Sequence, residues 1–328
     1  MPKILVTGGA GYVGSHTVEQ LIKNGFQVVV ADNLSTGYRQ AISPQARFYQ
    51  GDVRSSSFLS NLFRQEKIDG VIHFASDSLV SESMRKPLKY FNDNLNEIIN
   101  LLAQMRKYHV RNLVLSSSAS VYGNPGRVPI KESDPTCPVN PYGDTKLAME
   151  RIVYWSSRAY GIRSIVFRYF NVAGASLDGH IGESHNPETH LIPLILRVAL
   201  GQKRSLKIFG NDYQTIDGTN VRDYVHVLDL AQAHVLAIQY LLKNGRSGIF
   251  NLGSSSGFSN LQVLRTARKV TGTPIPARFG PRRLGDPDIL VADSSKARRY
   301  LHWRPKYDNL TKIIQTAWRW TRKHPNGY

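Results

Sequence analysis

The chain has 328 residues, a hydrophobic fraction of 41% and a formal net charge of +18, enough for one large α/β unit or two smaller domains with a substantial core. No apolar run approaches the roughly 18 residues of a membrane span, so we expect no membrane insertion. The single cysteine, Cys137, excludes an internal disulfide and a zinc site built on several thiolates, and we expect no metal. The opening MPKILVTGG predicts a strand and no signal peptide, so we expect a cytoplasmic protein.

Positive charge is concentrated towards the end of the chain. Residues 200–328 carry 21 Lys+Arg against 8 Asp+Glu, whereas residues 1–199 carry 21 against 16. A basic surface suits an anionic ligand, and a nucleic-acid-binding face is the alternative. The basic residues are scattered and do not form runs of about five or six, which favours an ordinary solvated surface. We therefore do not expect nucleic acid as a partner.

Apolar strand-like segments and helical segments alternate over the first 170 residues. The predicted strands are ILVT, FQVVVAD, ARFYQGD, GVIHFAS, RNLVLSSS and RSIVFRYFN. The predicted helices run from about Tyr12 to Asn24, over SFLSNLFRQEK, over LKYFNDNLNEIINLLAQMRKYHV, and from Pro141 onwards. This alternation predicts parallel pairing through right-handed crossovers, and the nearly continuous apolar strands predict helices on both faces. The predicted fold class is α/β, a doubly wound (Rossmann-type) parallel sheet.

The pattern loosens after Asn171. VAGASLDGHIGESHNPETH predicts a long functional loop at the mouth of a site. LIPLILRVALG and HVLDLAQAHVLAIQYLL predict helices, GIFNLG a buried strand, and PIPARFGPRRLGDPDILVAD mostly loop and short strand. With no clear linker, we predict a dinucleotide-binding domain over residues 1–172, to which a helix and strand near 226–252 return. Residues 173–328 mainly form a smaller, interleaved substrate-binding lobe.

A glycine-rich turn follows the first strand. Gly8, Gly11 and Gly14 are spaced G-x-x-G-x-x-G ahead of the first helix. Glycine lets the backbone approach a pyrophosphate, and a helix N-terminus offers free N–H groups and a positive dipole end. Asp32 ends the second strand, where a carboxylate accepts hydrogen bonds from both ribose hydroxyls and repels a 2′-phosphate. The pattern predicts an NAD site, with Asp52 near its adenine side.

A serine, a tyrosine and a lysine are predicted to converge near this site. Ser118 follows the fifth strand, and Tyr142 and Lys146 are four residues apart on the next helix, so they share one face. A tyrosine that acts as a base near neutral pH needs its pKa lowered by about 3 units. Lys146 and an oxidised nicotinamide ring are predicted to supply the positive charges, with Ser118 holding a substrate hydroxyl. By itself, Ser118 equally fits a strand-end cap.

TGGAGYVG, the strand-end serine and Y-x-x-x-K resemble the extended short-chain dehydrogenase/reductase family. Further segments resemble its UDP-glucose 4-epimerases along essentially the whole chain: DNLSTG, GDVR, HFASDSLVSES, SSSASVYG, NPYGDTKLAMER, RYFNVAGA, IFGNDYQTIDGTNVRDYVHVLDLAQAH, NLGSSSGFS, PRRLGDP and HPNGY. The resemblance implies a homodimer that inverts C4 of a UDP-hexose. In that reaction Tyr142 takes the proton of the 4-hydroxyl, tightly bound NAD takes and returns the C4 hydride, and a 4-keto sugar is transient.

The resemblance also implies a residue for each part of the site. The catalytic residues are Ser118, Tyr142 and Lys146. The implied cofactor-binding residues are Gly8, Gly11, Tyr12, Val13, Asp32, Asn33, Asp52, Val53, Phe74, Ala75, Tyr142, Lys146 and Tyr169. The implied substrate-binding residues are Ser118, Tyr142, Asn171, His190, Leu191, Arg222, Arg283 and Asp286.

Departures from the family and rival activities are also visible in the sequence. Ser76, Asp77 and Ser78 occupy a stretch where some members place a cation near the cofactor phosphates. Ala119 and Ser120 stand where the dehydratases of this scaffold carry an acid–base carboxyl pair, which argues against dehydration. Leu290 is at a position that helps to set the size of the pocket in this family. A large residue there resembles family members that are restricted to unsubstituted hexoses. A UDP-pentose 4-epimerase, another nucleotide-sugar short-chain dehydrogenase and, more remotely, an RNA-binding protein on this fold stay open.

Overall fold

The structure is a computed structural model that describes residues 1–283 and 286–328; Leu284 and Gly285 of the PRRLGDP motif lie outside the described residues. The strands are β1 (Lys3–Thr7), β2 (Gln27–Asp32), β3 (Arg47–Gln50), β4 (Gly70–His73), β5 (Asn112–Ser118), β6 (Arg163–Tyr169), β7 (Asn171–Ala173), β8 (Leu206–Phe209), β9 (Val221–His226), β10 (Gly248–Leu252), β11 (Gly257–Ser259), β12 (Ala277–Gly280) and β13 (Ile289–Leu290). The helices are α1 (Tyr12–Lys23), α2 (Ser56–Gln65), α3 (Val80–Ser83), α4 (Pro87–Lys107), α5 (Pro141–Tyr160), α6 (Leu191–Ala199), α7 (Val227–Leu242), α8 (Asn260–Thr271), α9 (Ser295–Tyr300) and α10 (Leu310–Lys323).

The main sheet has the strand order β10-β6-β5-β4-β1-β2-β3, and each neighbouring pair is parallel. Strands β2 and β3 extend the sheet to one side of β1, and the chain then returns to build β4, β5 and β6 on the other side. Ligands of such sheets bind beyond the carboxyl ends of the strands at this reversal. The order confirms the predicted doubly wound sheet.

Helices cover both faces of this sheet. On one face α1 and α7 bury Leu21, Leu230 and Ile238 against the strands, and on the other α2, α4 and α5 bury Leu59 and Leu101, among others. Full burial of one such side chain contributes about 1.5–3 kcal/mol to folding. Strands covered on both sides have no solvated face, which explains their continuous apolar sequences.

The smaller lobe has its own core. Helices α6, α8 and α10 pack around β8 with Ile195, Leu264 and Ile313 buried between them. Strand β9 pairs with β7, β11 and β13, and β8 pairs with β12. β10 joins the main sheet beside β6 with Gly248 opposite Ile165, so the chain crosses between the lobes more than once. The domain boundary near residue 172 stays a prediction.

The structure refines several predicted elements. The sixth predicted strand, RSIVFRYFN, divides into β6 and a three-residue β7 that turns to pair with β9. Strands β8 and β9 had no predicted counterpart. β8 has only four residues, too few to show a period, and β9 is polar and charged although its residues from Arg222 onwards are buried. Among the described residues, no helix is long and apolar enough to cross a membrane.

Candidate active site

A cavity of about 1260 Å³ opens where the carboxyl ends of the main-sheet strands face the smaller lobe. It exceeds the roughly 300–1,000 Å³ of a typical ligand pocket, as a dinucleotide together with a second ligand requires. All of the predicted site residues are described by the structure, and all except Asp52 line this cavity. The sequence therefore identified one continuous site from segments as far apart as residues 8 and 286.

The glycine turn shapes one end of the cavity. Gly8 has a φ of +71°, and a Cβ there would lie 2.5 Å from the backbone nitrogen of Ala75. Gly11 faces open space apart from the Gly8 carbonyl oxygen, 3.4 Å from where its Cβ would be. Helix α1 begins at Tyr12 without a side-chain cap, so its first N–H groups remain available to an anion. This cradle fits the pyrophosphate of a dinucleotide.

Asp32 lies beside this turn at the end of β2. Its two carboxylate oxygens accept hydrogen bonds from the backbone N–H groups of Ala10 (2.9 Å) and Leu34 (2.8 Å). Burial raises the pKa of Asp32, and these two hydrogen bonds oppose that rise. The carboxylate is thus fixed in direction, and each oxygen keeps a second lone pair for a ribose hydroxyl.

Asp52 has a different environment from the one predicted. Its carboxylate binds the Arg54 guanidinium, with 2.6 Å between Arg54 Nη2 and Asp52 Oδ2, and Arg54 also contacts Asp93 at 2.5 Å. Arg54 lines the cavity in its place. The ion pair could not be predicted, because an acid shortly after a strand fits either a ribose contact or an ion pair.

The predicted catalytic trio of Ser118, Tyr142 and Lys146 lies at the carboxyl end of β5 and in the first turns of α5. Asn140 caps α5 by accepting a hydrogen bond from the Gly143 N–H (2.8 Å), and Pro141 occupies the first turn, so the helix begins just ahead of Tyr142. Lys146 Nζ donates to the Ser116 carbonyl at 3.1 Å and lies 5.8 Å from the centre of the Tyr142 ring. Ser118 Oγ accepts from the Ser120 N–H at 3.1 Å, so it also caps the short 3-10 turn that follows β5.

Burial moves the two titrating side chains of the trio in opposite directions. It lowers the pKa of Lys146 to about 8, against the opposing effects of Glu97 and Glu150. It raises the pKa of Tyr142, against a hydrogen bond with Ser118. The sequence predicted that Lys146 lowers the tyrosine pKa. In the structure burial raises the tyrosine pKa, the Ser118 hydrogen bond opposes that rise, and the lysine nitrogen is bonded to a carbonyl and not to the phenol.

The side of the cavity predicted to bind substrate carries charged side chains from the smaller lobe. Arg222 is buried on β9, and its Nη2 lies 2.8 Å from Asp286 Oδ1. Asn220 also donates to Asp286, at 3.0 Å. The Arg283 guanidinium carbon lies 4.2 Å from the centre of the Phe209 ring. Two arginines and an aromatic ring suit a nucleoside diphosphate, whose base stacks and whose phosphates bind guanidinium groups.

Residues 76–78, where some family members place a cation, lie beside a lysine of helix α4. Asp77 and Ser78 line the cavity, and the Asp77 carboxylate is bound to Lys89 of α4, which lines the cavity too. Behind them Glu97 is buried, and burial, followed by the Asp77 charge, raises its pKa to about 8. Sequence reasoning missed Lys89 and Glu97 because both lie within an ordinary amphipathic helix.

The long loop before α6 brings four titrating groups together at the cavity wall: Glu183, His185, Glu188 and His190. His190 was predicted to bind substrate and does line the cavity. The sequence analysis did not predict the three residues that contact His190. Their nearness in sequence within one loop was the only sign of contact between them.

Comparisons with known proteins agree with this geometry. The model of the NAD dependent epimerase/dehydratase family matches residues 4–253. The UDP-glucose 4-epimerase of Lacticaseibacillus casei is 58% identical over 325 residues, which are 99% of this chain and 98% of that protein. A crystal structure of UDP-glucose 4-epimerase has a TM-score of 0.97 and 50% identity, with 99% of each chain covered. The enzyme of that name from Bifidobacterium longum, in complex with NAD+ and UDP, has a TM-score of 0.94 and 37% identity, covering 99% of this chain and all of its own.

Proposed function

The chain belongs to the NAD dependent epimerase/dehydratase family, and from that premise we propose that it inverts C4 of a UDP-hexose, interconverting UDP-galactose and UDP-glucose. It is an isomerase that uses NAD. The observation that carries the proposal is the trio of Ser118, Tyr142 and Lys146 in one cavity with the glycine cradle and two arginines.

We assign Tyr142 as the group that takes the proton of the sugar 4-hydroxyl and later returns it. The chemistry that NAD supplies when bound is reversible acceptance of the C4 hydride. Ser118 holds the 4-oxygen, and Lys146 stabilises the tyrosine after it has lost its proton. Loss of the hydroxyl proton and of the C4 hydride leaves a 4-keto sugar. After the sugar turns, the hydride returns to the opposite face of C4 and the proton returns to O4, so C4 is inverted with no net oxidation.

The polar lining supports the proposed binding of the UDP moiety. Arg222 and Arg283 offer positive charge to the diphosphate, and Asn171, His190 and Leu191 come from segments that border them. Leu290 lines the same cavity and packs near Ala119. A bulky residue there supports a preference for unsubstituted hexoses over N-acetyl sugars.

We further propose a homodimer in a reducing cytoplasm. Exposed apolar side chains on α4 and α5 support the dimer: Leu88 is 82% exposed and Trp155 65% exposed. Ile99 is eleven residues from Leu88, about three helical turns, so both lie on one side of α4. The two helices pack side by side, and the same face on a second copy would cover these side chains.

The single, exposed Cys137 fits a reducing compartment.

The test is incubation of the purified chain with UDP-galactose, without added NAD, followed by chromatographic separation of the products. We expect UDP-glucose, formed with cofactor that stays bound through purification. A chain carrying Tyr142→Phe serves as the control for contaminating epimerase. No product from UDP-galactose, even with added NAD, would refute the proposal. Turnover of UDP-xylose alone would move the substrate class to pentoses.

A further inference from the structure

The segment between β7 and α6 holds a compact group of four side chains, of which only His190 has a proposed part in substrate binding. We call Glu183, His185, Glu188 and His190 the 183–190 cluster. One ligand atom from each residue lies within 4.8 Å of all the others. Two carboxylates and two imidazoles are a donor set typical of zinc and of similar transition-metal ions, whereas magnesium and calcium prefer oxygen alone.

Four distances between carboxylate and imidazole atoms of the cluster lie between 2.9 and 3.7 Å. Glu183 Oε1 lies 3.2 Å from His185 Nδ1 and 2.9 Å from His190 Nδ1. The Glu188 oxygens lie 3.7 Å from His185 Nδ1 and 3.2 Å from His190 Nδ1. Ligands about 2.0–2.1 Å from a tetrahedral ion are about 3.3 Å apart. The four separations fall around that value.

The four residues also form ion pairs with one another, but ion pairing leaves one buried atom unexplained. His185 Nδ1 is buried and has no hydrogen-bond partner among the described residues, although two carboxylates surround it. Both histidines bring the same nitrogen, Nδ1, to the same pair of carboxylates. His180 shows the ordinary alternative: its Nδ1 meets Asp178 and its Nε2 meets Glu19, each at 2.5 Å.

Surrounding contacts hold the ligands in place. Glu188 Oε1 accepts hydrogen bonds from the backbone N–H groups of Thr189 and His190, each at 2.8 Å. The Glu183 carbonyl accepts from the Trp320 indole of α10 at 3.0 Å. Such outer contacts orient the ligands of metal sites.

We propose that the 183–190 cluster binds one divalent transition-metal ion of the zinc class. The ion fastens the loop that leads into α6 and so fixes the cavity wall at His190 and Leu191. It takes no part in hydride or proton transfer, and the proposal does not depend on which sugar the chain converts.

The test uses the untagged full-length chain, stripped with EDTA and then freed of chelator. Zn²⁺ is titrated by calorimetry, and Co²⁺ is titrated while visible absorption is recorded. We expect one equivalent of each metal and the intense visible band of tetrahedral cobalt. His185→Ala and Glu183→Gln should weaken Zn²⁺ binding by more than the roughly 10–100-fold that loss of an outer-shell partner costs. His180→Gln, a histidine between two carboxylates outside the cluster, is the matched control and should bind as the wild type does.

Three results would overturn the proposal. The first is a wild-type chain that takes up no Zn²⁺ and gives no tetrahedral cobalt band, a result that requires no variant to fold. The second is a His185→Ala chain with unchanged affinity and stoichiometry, which would place the metal elsewhere. Displacement of Zn²⁺ by equimolar Mg²⁺ would contradict the nitrogen-containing donor set.

Discussion

Lys146 shows how one buried side chain sets the conditions for its neighbour. Its Nζ donates to the Ser116 carbonyl, so the lysine is positioned by the backbone of β5. Burial lowers its pKa to about 8 and raises that of Tyr142. We therefore expect the phenol to keep its proton until further positive charge enters the cavity, which would couple the proposed proton abstraction to filling of the proposed cofactor site.

Tyr142→Phe removes the proposed base and keeps the ring packing. We expect epimerisation to fall by at least about 10²-fold with NAD still bound. Turnover is measured with UDP-galactose, and NAD content is measured after denaturation. Tyr160→Phe, at the exposed end of the same helix, is the control and should retain full activity. Near-normal turnover of Tyr142→Phe would show that another base acts.

Asp32→Ala should weaken cofactor retention and leave the catalytic trio intact, because the carboxylate lies at the ribose end of the cradle. We expect NAD to be lost on gel filtration and activity to return when NAD is added. Asp52→Ala is the informative comparison, because that carboxylate faces Arg54 and does not line the cavity. If Asp52→Ala lost NAD and Asp32→Ala did not, the ribose would lie nearer to Arg54.

Residues at strand ends could be predicted because the parallel sheet brings all carboxyl ends to one edge. Ser118 and Asp32 were found in this way without the family. The resemblance, and not spacing, supplied Arg222 and Asp286. The partners of His190 could not be predicted, because no regular period links residues within a long loop to the atoms that they contact.

At the scale of elements, Glu66 joins the end of α2 to the edge of the main sheet. Its carboxylate accepts from Lys3 of β1 (2.6 Å), and from Arg47 (2.6 Å) and Tyr49 (2.8 Å) of β3. Burial opposes the charged form, but these hydrogen bonds prevail and lower the pKa of Glu66 from 4.5 to about 2. The stabilisation is therefore complete above about pH 4.5 and is lost as the pH falls towards 2.

Glu66→Gln should cost about 1–2 kcal/mol of unfolding free energy at pH 7, because Arg47 is largely exposed and solvent screens its charge. Urea denaturation of the variant and the wild type is compared from pH 7 down to pH 3. We expect the difference between them to shrink below pH 4.5. If the difference in unfolding free energy between variant and wild type stayed constant across that range, the lost stability would be due to changed side-chain packing and not to the lost charge.

The long elements of the first 170 residues were predicted, whereas helices α8 and α10 had no predicted counterpart and most short strands were missed. Helix α5 carries its own signals, with Asn140 and Pro141 at its start and a left-handed Gly161 after its end. Strands β7 and β13 have two or three residues each, and their position depends on pairing with β9. Such strands are defined by tertiary contact, so a local pattern cannot reveal them.

At the scale of the whole molecule, the exposed face of α4 and α5 is the proposed contact between two copies. Trp155→Glu, combined with Leu88→Glu, should convert a dimer to a monomer because each places a carboxylate where apolar surface would be buried. Light scattering after gel filtration gives the mass of the particle. Ile216→Glu, a fully exposed apolar residue elsewhere, is the control. A wild-type monomer at micromolar concentration would contradict the proposed homodimer.

Net charge is the other property of the whole molecule. The excess of positive charge in residues 200–328 exceeds what one diphosphate requires, and we expect it to act as a solvated surface. Mobility-shift experiments with RNA at about 0.15 M salt should show no binding, because scattered charges are screened over about 8 Å. Retention of RNA at that ionic strength would revive the nucleic-acid alternative.

The crossing of the chain between the lobes has a consequence for synthesis on the ribosome. Strand β6 ends at Tyr169, but the edge strand that covers it begins at Gly248. At about 5–20 residues per second, translation of the roughly 80 intervening residues takes several seconds. During that time we expect the nascent sheet to expose an apolar, unpaired edge to solvent. The chain is therefore vulnerable to aggregation while it is being made, and a fragment that ends near residue 172 would keep that edge permanently open.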